Sequence, residues 1–254
     1  MSNPLVGSRS SVEVETERYV LRLASDVSEV RAAQRLRYEV FNVEMGEGLV
    51  TSFASGMDAD AFDAVCDHLI VRDKTNDAVV GTYRLQTGAE ARLRIGYYGE
   101  QEFDFTPFEP VRAEIIELGR ACVACDHRNQ SVLGLLWRGI ARYAQMHGGR
   151  YLVGCSSLTS RNPDEGLAVY SQLAVRNLVA PEWRTSPQPG MECKASGGAP
   201  VVEARIPRLM AAYMAVGATI CGTPALDREF GTVDFLTWLD LRAMPERVAR
   251  KFMS

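Results

Sequence analysis

The hydrophobic pattern is most regular across residues 113–149, where a nearly unbroken apolar run passes through a polar turn into apolar positions at helical spacing. Ile115, Ile116, Leu118, Ala121, Cys122 and Val123 have the length and continuity of a buried strand. Val132, Leu136, Ile140 and Tyr143 then fall on one helix face, and Gly148-Gly149 stops the helix. Between them lies the turn Asp126-His127-Arg128-Asn129-Gln130-Ser131. A helix starting there presents unpaired backbone N–H groups and a partial positive charge, so the junction suits a phosphate-bearing ligand. Glu117 and Arg120 interrupt the apolar strand. Buried without partners they would cost several kcal/mol, so they are either partners or functional. A regular strand turns them to opposite faces, whereas a bulge changes their facing.

Read from its start, residues 1–17 are polar and expected to be flexible, and Tyr19-Val20-Leu21-Arg22-Leu23 alternates as a short strand. Ser25 or Asp26 caps a helix whose face carries Val30, Ala33, Arg37, Val40 and Phe41. Arg37 on that face either snorkels to water or is aimed at a carboxylate in a cleft. Residues 42–66 have no sustained period and read as a mobile loop, a lid or plain disorder. Residues 68–72 and 78–85 form a hairpin around Asp73-Lys74-Thr75-Asn76-Asp77. Residues 96–110, aromatic and acidic, are a folded connection, 151–155 a buried strand, and Asn162-Pro163-Asp164-Glu165 opens a helix carrying Tyr170. Residues 181–200 read as a surface loop before the C-terminal segment 201–254. Residues 209–221 read as one apolar helix, either core or the wall of an acyl tunnel, and 235–242 as a strand or helix.

The 254 residues, 46% hydrophobic and 24% charged, suffice for a single domain with a substantial core. A net charge of -4 gives no support to nucleic-acid binding. No signal-like start or uncharged run of membrane-spanning length is present, which points to the cytoplasm. The six cysteines are scattered, and the lone Cys122/Cys125 pair lacks the second pair that zinc requires. The acidic run from Asp58 departs from calcium-loop spacing. No metal is expected.

Arg37-Tyr38-Glu39-Val40-Phe41, Asp67-His68-Leu69, Val80-Gly81-Thr82-Tyr83-Arg84-Leu85 and Glu117-Leu118-Gly119-Arg120 resemble, in that order, blocks shared by acyl-homoserine-lactone synthases and long-chain N-acyl amino acid synthases. Phe103-Asp104, Leu136-Trp137-Arg138-Gly139, residues 221–227 and Thr232-Val233-Asp234-Phe235 resemble bacterial L-ornithine N-alpha-acyltransferases of ornithine-lipid synthesis. The resemblance covers most of the chain. It implies an α/β, GNAT-like N-acyltransferase fold with a central mixed sheet flanked by helices. Residues 128–134 lack the glycine pattern of acetyl-coenzyme-A-binding relatives. A donor with a single phosphate, the phosphopantetheine of acyl carrier protein, needs less of that cradle.

The implied reaction moves a (3-hydroxy)acyl chain from acyl carrier protein to the α-amine of ornithine, with no bound cofactor. Another amino acid such as glycine or lysine, a homoserine-lactone product, or an inactive carrier-binding module are the alternatives. Glu117 is the expected base, with Arg120 and Tyr170 as further catalytic candidates. Arg37, Phe41, Asp63, Asp67 and Arg84 are expected at the amino acid, and Arg128, Asn129, Gln130 and Ser131 at phosphopantetheine. Arg138 and Arg142, four residues apart on one helix face, are expected to dock the carrier. A peripheral contact at the inner face of the membrane is compatible with a lipid product.

Overall fold

The computed structural model describes residues 12–197 and 205–252. Two short strands, β1 (Val14–Glu15) and β2 (Tyr19–Leu23), lead into α1 (Val27–Tyr38). Val12 and Val14 are buried, so the expected flexible start does not extend that far, and residues 1–11 lie outside the described ones. Asp26 caps α1 by accepting the N–H groups of Ser28 and Glu29. The Glu29 carboxylate accepts from the backbone and hydroxyl of Ser25 and pairs with Arg22 and Arg72, pinning the helix to the sheet.

Residues 42–66 are not a structureless loop. A π-helical turn, Glu39–Glu44, extends α1, and α2 (Ser52–Ser55) and a 3₁₀ turn, Ala61–Ala64, follow. The physical reason is pairing: the acidic side chains that made this stretch look solvated are held by arginines from three other elements, as described below. The hairpin is present as β3 (Asp67–Asp73) and β4 (Val79–Thr87), with Asp77 at φ 62° in its turn. After α3 (Gly88–Leu93), the aromatic connection folds through 3₁₀ turns and buries Tyr97, Phe103, Phe105 and Phe108. It delivers the chain to β5 (Ile115–Val123) and α4 (Gln130–Met146).

β6 (Tyr151–Leu158), α5 (Pro163–Leu173), α6 (Arg208–Ala215), β7 (Thr219–Ile220), β8 (Ala225–Asp227), β9 (Thr232–Asp240) and α7 (Glu246–Phe252) complete the chain. Asn162 caps α5, and Pro163 takes its first turn, where a missing N–H costs nothing. The helix expected over residues 209–221 ends six residues early. Gly217, at φ 101°, reverses the chain, and the β-branched Thr219 and Ile220 pair with β9 instead. Residues 235–240 resolve as strand, and a 3₁₀ turn, Leu241–Ala243, follows. The expected surface loop of 181–200 is anchored by Trp183, which stacks on Trp238 with ring centroids 5.3 Å apart; its last three residues lie outside the described ones.

The strands form one mixed sheet, ordered β1-β2-β3-β4-β5-β6-β9-β7, with β8 also on β9. Only β5 and β6 are parallel. α4 covers one face, burying Val132, Leu135, Leu136, Ile140 and Tyr143 against Leu21, Leu69, Val71 and Leu85. Gly139 permits that approach, since a Cβ there would stand 2.6 Å from a Leu21 methyl. Alternation along the strands turns Thr82, Arg84 and Gln86 to the other face, toward α1. Among the described residues, no helix is long and apolar enough to cross a membrane.

Candidate active site

Parallel pairing between β5 and β6 spans only Ile115/Tyr151, Ile116/Leu152 and Glu117/Val153, although β5 runs on to Val123 and β6 to Leu158. The strands therefore splay apart at Glu117. A cavity of about 860 Å³ occupies the gap and passes through the sheet. On the α4 face its wall is apolar: Leu133, Leu136, Trp137, Met210, Tyr213 and Leu239. On the α1 face it is polar: Glu47, Gln86, Tyr98, Glu117, Arg120 and Thr159. A long apolar chain and a charged head can thus be held on opposite sides of one opening.

The bulge that would reorient Glu117 and Arg120 is present. Thr82 opposes Cys122 whereas Arg84 opposes Gly119, so β5 carries one extra residue. Arg120 has φ 50°, a left-handed conformation that costs a side-chain-bearing residue on the order of 1 kcal/mol or more. The result is that both residues line the cavity. Glu117 is buried, and its two carboxylate oxygens accept the N–H groups of Tyr98 at 2.8 Å and Gly99 at 2.7 Å. Burial pushes its carboxyl up to about 7, with the two N–H groups and Arg84 opposing the rise. A carboxylate poised near neutrality can take a proton from an ammonium and later release it.

Arg37 is the cleft-directed cation, not a snorkelling one. Its side chain is 0% exposed and donates to Asp58 Oδ2 at 2.8 Å and Asp63 Oδ2 at 2.8 Å. Arg84 donates to Asp60 at 2.6 Å and Asp63 at 3.1 Å, and Arg120 to Asp60 at 3.0 Å, with its Nε 3.2 Å from Asp58. Three arginines thus meet three aspartates in a charge-balanced network. Burial pushes Asp63 up, but Arg37 and Arg84 more than offset it and hold the carboxyl well below its usual range. Arg37 and Asp63 brace the site from behind, because neither lines the cavity; Arg84 and Arg120 do. The rings of Tyr98 and Phe230 cover the Arg120 guanidinium, each centroid 4.7 Å away. Phe41 lines the same wall, edge-on to Phe230 at 5.6 Å.

Other expected positions are not brought together. Asp67 faces α4 and accepts the Tyr143 hydroxyl at 2.7 Å, because its place on β3 turns it to the opposite side of the sheet. Tyr170 is half-buried on α5 against the cluster of Val169, Leu173 and Phe235 and does not line the cavity. Arg128, Asn129 and Gln130 reach the cavity rim, and Ser131 does not. The helix start is not bare there: Asn129 Oδ1 accepts the N–H groups of Ser131 at 3.0 Å and Val132 at 3.1 Å, and Arg128 pairs with Glu44. Arg138 is half-buried, and the exposed Arg142 donates to the carbonyl of Glu13.

A model of the acetyltransferase (GNAT) domain matches residues 36–138. The chain is 32% identical, over 90% of its length and 92% of the relative's, to an L-ornithine N(alpha)-acyltransferase of Rhodobacter capsulatus. The namesake enzyme of Agrobacterium fabrum is 33% identical, over 89% and 82%. The chain belongs to the L-ornithine N(alpha)-acyltransferase family. It is an acyltransferase. Family membership accords with the fold, which superimposes on an N-acyl amino acid synthase from uncultured soil microbes with TM-score 0.52 at 12% identity, covering 93% of this chain and 94% of that one. The acyl-homoserine-lactone synthase LasI gives 0.50 at 12% identity, covering 89% and 91%.

Sequence reasoning missed Tyr98, Gln86 and Glu47 as cavity residues, and Glu102, Asp227 and Asp234 just behind its wall. Gln86 is buried with neither amide atom partnered. Asp234 carried a usable signal: like Glu117, it is an acid inside an apolar run.

Proposed function

We propose that the chain acylates the α-amine of L-ornithine, taking a (3-hydroxy)acyl chain from the phosphopantetheine thioester of acyl carrier protein and releasing lyso-ornithine lipid. The observation that carries this reading is Glu117 at the point where the sheet opens, with an apolar wall on one side and a polar one on the other. Glu117 removes a proton from the α-ammonium, directly or through water. The freed nitrogen attacks the thioester carbonyl, the C–N bond forms, the C–S bond breaks, and the thiol leaves with a proton. Past Glu117 and Val153 the facing edges of β5 and β6 lack a strand between them, so their N–H and C=O groups are available to the amides of phosphopantetheine and to the charge developing on the carbonyl oxygen.

Arg128 at the rim, freed from Glu44, meets the phosphate, and Arg138 and Arg142 meet the acidic carrier. Val43, Met45, Val50 and Phe53 are exposed, and Met45 also lines the cavity. They supply an apolar surface for a peripheral membrane contact as the product leaves. The test is mass spectrometry of the amides formed when purified protein meets acyl carrier thioesters and a mixture of amino acids. N-acyl ornithine as the main product is expected. Acylation of another amino acid in preference, or of none, would overturn the assignment.

A further inference from the structure

The arginine–aspartate network is charge-balanced, but a second group of buried acids beside the cavity is not. Glu102, Asp227 on β8 and Asp234 on β9 bring carboxylate oxygens within 4.8 Å of one another. Asp227 is satisfied by the N–H groups of Glu229 and Phe230, both at 2.8 Å, and Asp234 Oδ2 by the Thr232 hydroxyl at 2.9 Å. Glu102 and Asp234, residues only 2% and 3% exposed, hydrogen-bond each other, which requires a proton held between them, and among the described residues no basic side chain pairs with either. Arg120 is the cation they feel, yet its guanidinium is directed to Asp58 and Asp60. Burial, then Asp234 and Asp227, pushes Glu102 well above the carboxylate range. Buried acids that hold a proton between them for want of a dedicated counter-ion leave a place that an incoming cation can take.

The cavity wall connects this group to the base. Cys155, which lines the cavity, hydrogen-bonds Glu102 and lies in the field of Asp234 and Glu117 alike. Ser157 and Glu47 also line the cavity, Ser157 hydrogen-bonding Asp234 and Glu47 lying within its field. We propose that Glu102, Asp227 and Asp234 seat the side-chain ammonium of a diamino acid acceptor while its α-amine faces Glu117. This deepens the proposed function and rests on it. An ammonium offers three N–H donors, enough for Glu102, Asp234 and a third acceptor once the shared proton has left. It also explains why these acids have no arginine or lysine of their own: the substrate supplies the charge.

Isothermal calorimetry on the purified chain compares L-ornithine with L-norvaline, which has the same carbon skeleton without the terminal amine. Two buffers of different ionisation enthalpy report proton release. Ornithine is expected to bind at least tenfold tighter and to release a proton as the ammonium displaces it from the carboxylates; norvaline releases none. Glu102→Gln and Asp234→Asn should each lower the ornithine-to-norvaline affinity ratio tenfold or more without lowering the unfolding temperature, since each keeps a hydrogen-bonding side chain of the same shape and removes a carboxyl that is costly to ionise where it is buried. If one variant fails to fold, the wild-type ratio and proton release still decide. Equal binding of both amino acids, a parallel loss for both in the variants, or loss of ornithine binding on metal chelation would overturn the proposal. Tight, proton-linked ornithine binding without acylation would instead sink the proposed reaction and leave the ammonium seat standing.

Discussion

Glu117→Gln separates a base from a structural carboxylate, and its consequences can be worked from the geometry. With the carboxyl at about 7, only about a tenth of the protein carries the ionised form at pH 6, so kcat/KM should fall roughly tenfold per pH unit below neutrality. The Gln variant should lose that limb and run two to four powers of ten slower. Stability moves differently. Below about 4.5 the group is protonated in both folded and unfolded chains, and it carries no cost. Between about 4.5 and about 7 the unfolded chain gives up the proton and the folded one keeps it, so stability falls as pH rises, by about 3 kcal/mol in all. Gln removes this loss, but it sets an amide NH₂ against one of the N–H groups of Tyr98 and Gly99, at about 1–3 kcal/mol. The variant should therefore match wild type in thermal unfolding near pH 8 and fall below it near pH 5. Amide product counted by mass spectrometry across pH gives the rate. A folded Gln variant with wild-type rate and an unchanged limb near pH 7 would refute Glu117 as the base.

Arg37→Met strands Asp58 and Asp63 and should cost about 3–5 kcal/mol in denaturant unfolding, with Arg37→Lys recovering little because one ammonium cannot span both carboxylates; a loss under about 1 kcal/mol would mean the network is not what holds residues 42–66. Leu133→Trp places an indole on the apolar cavity wall and should shift product toward shorter acyl chains when thioesters of graded length compete; an unchanged product profile would remove α4 from the chain-binding wall. Reversing Arg138 and Arg142 to Glu should slow association with carrier-borne donor by about one power of ten and flatten its salt dependence, leaving kcat at saturation intact; unchanged kinetics across a salt series would place carrier docking elsewhere.

The strand, turn and helix around β5 were legible because their apolar positions follow one period each, and a charged residue inside a buried strand stands out in any sequence. By that signal Glu117 and Arg120 stand out, and both line the cavity. Asp58, Asp60 and Asp63 misled for the opposite reason. Their partners Arg37, Arg84 and Arg120 come from α1, β4 and β5, so nothing local distinguishes a buried, paired acid from a solvated one. Asp227 and Asp234 meet through the local pairing of β8 with β9, but Glu102 arrives from the 3₁₀ connection far earlier in the chain, an approach that no local pattern encodes. Tyr170 and Asp67 lie on α5 and β3, neither of which contributes a residue to the cavity, and Asp67 faces α4 instead. The end of α6 turned on one residue, Gly217, whose positive φ outweighed an apolar run that otherwise continues.

The sheet's continuity at its centre depends on three residue pairs, from Ile115/Tyr151 to Glu117/Val153. Ile115, Ile116, Leu152 and Val153 are buried, so amides in this neck exchange with solvent only when the whole molecule opens. Beyond it, amides on the facing edges of β5 and β6 have no rung to close against, and they exchange from the native state. An acyl thioester laid along the gap supplies those rungs. Hydrogen exchange should then slow across 118–123 and 154–158 together while donor is bound, and the narrow neck that joins the two halves of the empty sheet becomes a continuous ladder.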